Sequence, residues 1–498
     1  MDLKLEEKLR GYLNRIIQTT TTLSNNKTLD DKNNPLPRRS YFIKLQQYFR
    51  LFAEKSLAQR ILVVPGLRGI GKTTLLFQLY NFLLQSNNIP KERMLYIDAG
   101  ELINNLGGNM NDLFKIYEDV YLTKPIENIQ DNIIIFIDEA HYDKEWPFFA
   151  KSLFDRSDGN KNLLIIVSGS SALALRANTD ISRRAIIDLL FPLTLQEFLY
   201  LRYSFLPPKG TAEKIRISLN SDVESAYHVL STVFDSLQVN FVKRGLNTEK
   251  ILQEYLSIGA SPLFLTGGPS ELYFRWWNTT LEKVIQQDIP TFSKLGSKSS
   301  PKIFSILQFL AESNPVAPQS YQNISSKLND TEFSKTTVFN IFEALKTACI
   351  LIEVNAGGDT LKKITVPSKY YFMHPTIRAS ILWSLGKFKK DLAMNDASFF
   401  GLFLEDALAS IFLKNKETGN TIQEFFYDNS KKTAADFCIK TPTGNIAIEC
   451  CWGVKDTSQV RKTMENFKCK FGLLISKTNK VTLKDNILII PREILLFM

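Results

Sequence analysis

Through the first two hundred residues, short apolar runs of strand length alternate with segments of helix length. The runs are Ile61 to Val64, Met94 to Asp98, Ile133 to Asp138, Leu163 to Ser168 and Ala185 to Leu190. They are nearly unbroken in aliphatic and β-branched residues, a pattern that predicts a parallel sheet buried on both faces with helices between its strands. Ahead of them, Leu5, Leu9, Tyr12, Leu13 and Ile16 recur at helical spacing. The Thr/Ser/Asn-rich stretch from Thr19 to Asn34 then reads as a linker, closed by Pro35-Leu36-Pro37, and a helix follows through Leu57. From about 195 to 290 the pattern is helical and aromatic-rich, which suggests a lid-like domain.

A Gly/Ser-rich boundary from Lys294 to Pro301 marks a change of pattern. Helices expected over 303–311, 321–328 and 335–345 lead into strands at Ile350 to Val354 and Lys369 to Phe372, with a turn at Gly357-Gly358. Three helices closed by a hairpin is the order of a winged helix. A last segment opens with a helix, Phe400 to Leu413, followed by strands at 424–427, 435–439, 445–450, 471–475 and 487–490. The expected division is an N-terminal helix and linker (1–35), a parallel-sheet core (36–194), a helical lid (195–298), a winged helix (299–395) and a small α/β domain (396–498). The fold class is therefore α/β, a parallel sheet with a helical lid, then two smaller domains.

Length supports this count, since 498 residues exceed what one hydrophobic core sustains. The net charge of +10 permits an acidic partner without requiring one. Five cysteines without C-x-x-C spacing and only three histidines suggest neither a disulfide framework nor zinc. No apolar run is long enough to span a bilayer, and the charged start is no signal peptide, so a cytoplasmic chain with no membrane partner is expected.

The chemistry starts at Gly66-Leu67-Arg68-Gly69-Ile70-Gly71-Lys72-Thr73, which fits G-x-x-x-x-G-K-[ST] and sits between an apolar strand and a helix beginning at Thr74. Glycines there let backbone N–H groups turn toward phosphates, and the helix start favours the anion. Lys72 would reach the β- and γ-phosphates, and Thr73 would ligate Mg²⁺. Asp138 ends the third strand, where its carboxylate can hold the Mg²⁺ water shell; Glu139 is the candidate base for in-line attack by water. Ser168 or Ser170, at the end of the next strand, could sense the γ-phosphate or orient water, and Ser171 closes that stretch. Arg183 or Arg184 could act as a finger toward a neighbouring subunit's nucleotide.

Asp138-Glu139-Ala140-His141 also spells the DEAH box of superfamily 2 helicases. The chain has no second RecA-like half with an Arg-rich motif, so that likeness is set aside. Taken with Arg38-Arg39, Phe191 to Leu199 and Tyr255 to Pro262, these motifs make the chain resemble an AAA+ ATPase. More narrowly, it resembles the archaeal and bacterial ATPases with a C-terminal domain of unknown function. Ala260 stands where that pattern has a second glycine. The resemblance implies ATP, Mg²⁺ and a possible homo-oligomeric ring.

In the last segment, Glu405, Asp436 and Glu449 resemble the acids of the PD-(D/E)xK nuclease fold, which bind metal for phosphodiester hydrolysis. Glu449-Cys450-Cys451 lacks the expected lysine, which Lys455 could replace from the next loop, so a degenerate, binding-only domain is expected. In the winged helix, Lys335 on the recognition helix, with Lys327, Lys346, Lys362 and Lys363, offers phosphate contacts. The expectation is an ATP-hydrolysing protein coupling nucleotide state to DNA engagement. The alternatives are a signalling switch that binds a protein and an ATP-regulated endonuclease.

Overall fold

The computed structural model describes residues 2–86, 89–170, 181–313, 320–327, 334–358, 365–389, 397–419, 421–430 and 434–498. Two compact units meet in sequence at Phe191 and Pro192.

In the first unit, five parallel strands, β1 (Ile61–Pro65), β2 (Met94–Asp98), β3 (Ile133–Asp138), β4 (Leu163–Gly169) and β5 (Ala185–Ile187), lie in the order β2-β3-β4-β1-β5. Every residue of β1, β3 and β4 is buried, as their unbroken apolar runs require. β5 is shorter than the run to Leu190 suggested; only a bridge between Gly66 and Leu190 continues it.

The N-terminal linker is a correction. Helix α1 runs from Leu3 to Thr28 and takes in much of the Thr/Ser/Asn-rich stretch. Thr20, Ser24 and Thr28, four residues apart, are buried on one face. Thr20 and Thr28 donate to the carbonyls of Ile16 and Ser24, which satisfies their hydroxyls inside the helix. The Ser24 hydroxyl also donates to the Phe77 carbonyl (3.2 Å), and Asn81 donates to Thr28 Oγ1 (2.9 Å). That face is thus a polar seam against α3 (Lys72–Ser86). Helix α2 (Tyr41–Ala53) precedes β1. It ends short of Leu57. Helices α4 (Met110–Tyr117) and α5 (Trp146–Arg156) flank β3 in sequence.

The second unit opens with α6 (Leu195–Tyr203), whose start is a capping box. Thr194 Oγ1 accepts from Glu197 N, and Glu197 Oε2 accepts from Thr194 N, both at 3.2 Å. The signature Pro192-Leu193-Thr194-Leu195-Gln196-Glu197 thus has a local physical job. Helices α7 (Thr211–Asn220), α8 (Val223–Lys243), α9 (Thr248–Ile258) and α10 (Ser270–Lys283) follow. Then come α11 (Ser300–Glu312), α12 (Tyr321–Lys327) and α13 (Lys335–Thr347), and the antiparallel pair β6 (Leu351–Val354) and β7 (Lys369–Phe372).

Helix α14 (Pro375–Ser384) was not expected. Pro375 through Leu382 are all buried, and a helix covered on every side leaves no amphipathic period to read. Its Arg378 makes a bidentate ion pair with Asp406 on α15 (Ala397–Glu417), at 2.6 and 3.0 Å. The same guanidinium donates to the carbonyls of Leu310 (2.9 Å), Ala311 (3.2 Å) and Ser313 (3.3 Å) at the end of α11. Asp406 also accepts from Phe372 N on β7 (2.9 Å). One buried charge pair therefore ties together four elements.

The chain closes in a mixed sheet of β8 (Glu424–Phe426), β9 (Phe437–Thr441), β10 (Gly444–Cys450), β11 (Phe471–Ser476), β12 (Thr482–Lys484) and β13 (Ile487–Pro491). Its order is β12-β13-β11-β10-β9-β8. Helix α16 (Ser458–Phe467) crosses between the parallel strands β10 and β11. Neither it nor β12 was expected, and β9 begins two residues later than predicted.

Candidate functional site

Register assembles the site before any side chain is considered. Asp98 pairs with Asp138, Ile137 with Val167 and Val64 with Ser168, so Asp98, Asp138 and Ser168 stand side by side at the C-terminal edge of the sheet. The glycine-rich loop springs from the same edge after Pro65, the usual ligand-binding side of a parallel α/β sheet. Gly69 (φ 84°) and Gly71 (φ 94°) take left-handed backbone conformations that glycine adopts without strain. At Gly66 the constraint is space, since a Cβ would lie 2.7 Å from the Leu190 carbonyl oxygen. Leu67 and Ile70 are buried and anchor the loop; Lys72 opens α3 with Thr73 and Thr74 behind it.

Lys72 is buried, and its Nζ donates to the carbonyls of Gly66 (3.0 Å) and Leu67 (3.1 Å). Asp138 is the hub of the site. Oδ2 accepts from Thr73 Oγ1 (2.7 Å) and the Tyr96 hydroxyl (3.1 Å); Oδ1 accepts from the Ser168 hydroxyl and from Glu139 N (3.0 Å). Four donors keep an almost fully buried carboxylate in place, as buried charge requires. Thr73 and Asp138 present hard oxygen donors side by side, which suits Mg²⁺. Glu139 sits in the left-handed region (φ 51°, ψ 35°), uncommon for a residue with a side chain. Burial lifts its carboxyl above the ordinary glutamate range, Lys72 opposes that, and Asp138 adds to it.

Arg183 and Arg184 are not brought to this loop. They precede β5, whose Ala185 pairs with Ile61 at the start of β1, so they lie at the opposite edge of the sheet. Arg184 is engaged with Asp155 (2.7 and 3.1 Å), while Arg183 is exposed. Ser171 lies outside the described residues.

Three residues of the site escaped the sequence reading. Tyr96 looked like one more apolar strand residue, yet its hydroxyl holds Asp138. Arg39 is buried and donates to the carbonyls of Ile70 in the loop (2.9 Å) and Phe191 (2.8 Å); only its pairing with Arg38 had drawn notice. His141, dismissed with the DEAH likeness, is buried beside Glu139.

In the second unit, the three acids of the last segment come together. Asp436 N donates to Glu449 Oε2 (3.1 Å), Cys450 N donates to Asp436 Oδ2 (2.9 Å), and Lys455 Nζ donates to Glu449 Oε1. Burial, with Asp436 adding to it, raises the Glu405 carboxyl well above its usual range and pushes Glu449 up to about 8, against Lys455. Among the described residues no group of three or more His, Cys, Asp or Glu is arranged to hold a metal ion.

On the segment expected to be a winged helix, Lys346 is held by Glu343 (2.6 Å) and Glu353 (2.5 Å). Lys327 stands over the Phe309 ring, and Lys335 is exposed. Lys362 and Lys363 lie outside the described residues. Phe339, on the same helix as Lys335, is 43% exposed.

The loop, the strand-end acid and the parallel sheet are those of a Walker-type ATPase, and residues 58–199 match the family described as an AAA domain. The protein is an ATPase of that class, which implies that it binds ATP. The chain belongs to the same family as the uncharacterized protein MJ1637 of Methanocaldococcus jannaschii, to which it is 30% identical across 97% of its own length and 93% of the relative's. It is also similar to MJ1544 of the same organism, 21% identical over 85% of this chain and 82% of that one. Among solved structures, the Walker-type ATPase PABY2304 of Pyrococcus abyssi covers 71% of this chain, with 97% of its own length, at 16% identity and a TM-score of 0.40. The Aeropyrum pernix ORC2 protein covers 73%, with 99% of its own length, at 12% identity and a TM-score of 0.35. Among the described residues no helix is long and apolar enough to cross a membrane.

Proposed function

We propose that ATP hydrolysis in the first unit switches how the second unit engages DNA. The observation that carries the hydrolytic part is the hub at Asp138, fixed by Thr73, Ser168, Tyr96 and the Glu139 amide beside a formed phosphate loop. In this reading the loop amides from Gly66 to Thr73 hold the β- and γ-phosphates, and Lys72 turns from the Gly66 and Leu67 carbonyls to the phosphate oxygens. Thr73 and Asp138 hold Mg²⁺, which neutralises phosphate charge when bound. Glu139 takes the proton of the attacking water, Ser168 and Ser170 face the γ-phosphate, and Arg183, exposed, is better placed than Arg184 to reach a neighbouring subunit.

We further propose that the second unit comprises a lid (195–298), a winged helix (299–395) and a degenerate nuclease-like domain (396–498), in a cytoplasmic protein able to form a ring. Lys455 on Glu449 supports the degenerate reading, because an internal ammonium already compensates the acid. A second reading, a switch that binds a protein, is favoured by the winged helix itself: Lys346 is neutralised by two glutamates, and Phe339 offers an exposed apolar contact. The test is steady-state ATP hydrolysis with and without double-stranded DNA across a salt series. Stimulation that fades as salt rises supports DNA bound through its phosphates. Turnover indifferent to DNA at every salt concentration supports the protein partner.

A further inference from the structure

His141 Nδ1 lies 3.2 Å from Glu139 Oε2 and also 3.2 Å from the Ser170 amide nitrogen. One ring nitrogen cannot serve both contacts. The Ser170 N–H needs a lone pair to accept it, whereas a carboxylate oxygen needs an N–H to donate to it. The two bonds are therefore alternatives, and the atom that chooses between them belongs to a residue held in place: His141 is 2% exposed, with its ring against Tyr142 at 4.3 Å between centroids.

Its two neighbours are the parts that the chemistry needs to coordinate. Glu139 is held in a left-handed backbone conformation that turns the chain directly after Asp138. Ser170 follows the last residue of β4, two positions past the Ser168 that binds Asp138, and its own hydroxyl is buried with no hydrogen-bond partner among the described residues. An unsatisfied hydroxyl at the strand end beside the phosphate loop is a group waiting for an acceptor.

We propose that His141 is the positioning residue of Glu139. It exchanges one hydrogen bond between the Ser170 amide and the Glu139 carboxylate, the ring proton sitting on Nε2 while Nδ1 accepts from Ser170 and on Nδ1 while it donates to Glu139, so that contact of the β4 end with the nucleotide decides how the carboxylate is aimed at the attacking water. The inference rests on Glu139 being the base. It gives the tetrapeptide Asp138-Glu139-Ala140-His141 a use of its own: the 3₁₀ turn over Ala140–Tyr142 brings the imidazole back onto the acid two residues earlier.

The experiment measures kcat, KM and the Kd of a fluorescent ATP analogue for the full chain and for His141→Ala, His141→Asn, Glu139→Gln and the double variant His141→Ala/Glu139→Gln. A misaimed base costs up to about 100-fold in rate, so His141→Ala is expected to lower kcat by about 10- to 100-fold with Kd within about threefold of the parent. Asparagine places an amide near the position of Nδ1 with both a donor and an acceptor, and is expected to recover a substantial part of the loss. In the Glu139→Gln background the histidine change is expected to add nothing. Unchanged kcat in His141→Ala while Glu139→Gln is silent overturns the inference alone. A loss of kcat with an equal loss of analogue binding in both histidine variants also overturns it, by making the residue structural. Full turnover by Glu139→Gln overturns the reading of the base and this inference with it.

Discussion

Replacing Arg378 by alanine removes the centre of the polar core of the second unit. The guanidinium and Asp406 are both essentially inaccessible, at 1% and 0% side-chain exposure. After the substitution Asp406 keeps one donor, Phe372 N, and the carbonyls of Leu310, Ala311 and Ser313 lose the nitrogen they share. Removing one partner of a buried pair costs about 3–5 kcal/mol, because the remaining charge is stranded. Against a typical domain stability of about 5–15 kcal/mol that is a large fraction. Urea unfolding followed by tryptophan fluorescence is a suitable assay, since Trp276, Trp277, Trp383 and Trp452, four of the five tryptophans, lie in this unit. The midpoint should fall by about 1 M or more. The double variant Arg378→Met/Asp406→Leu should be less destabilised than either single change, because replacing both partners removes the stranded charge. A loss below about 1 kcal/mol in Arg378→Ala, or a double variant as unstable as the sum of the singles, would refute the reasoning.

Tyr96→Phe removes one of the four donors to Asp138, and should raise the Mg²⁺ concentration needed for half-maximal ATP hydrolysis by about tenfold, the usual scale for a residue that orients a metal ligand; an unchanged magnesium titration would count against that role. His374 caps α14 by accepting from Thr376 N (3.2 Å), and burial pushes its imidazole down to about 3. The unfolded chain, with an ordinary histidine near 6.5, binds a proton that the folded unit excludes, so this contribution is complete above about pH 6.5 and is lost as pH falls toward 3. The slope reaches at most about 1.4 kcal/mol per pH unit, and His374→Asn, which can still cap, should flatten it in acid unfolding curves.

The sheet of the first unit was legible because its strands are buried on both faces and written as unbroken apolar runs, and the loop because its glycines and Lys72 fall at the fixed spacing of one contiguous motif. The parts that were missed share a different cause. Thr20, Ser24 and Thr28 look like linker residues until a second helix is there to accept their polar face. Helix α14 has no apolar stripe because neighbours cover it on every side, and its Arg378 reads as a surface charge until Asp406 arrives from 28 residues further along. Tyr96 meets Asp138, and His141 meets the Ser170 amide, through single atoms contributed by neighbouring strands or their ends, and no local pattern encodes a cross-strand register.

The most direct test of the central claim compares ATP binding and steady-state hydrolysis by the full chain, Lys72→Ala and Glu139→Gln. Glu139→Gln should bind ATP normally and turn over at least about 100-fold more slowly, within the range expected for loss of a general base, and Lys72→Ala should lose binding. Undiminished turnover in Glu139→Gln, or normal binding and hydrolysis by Lys72→Ala, would contradict the account.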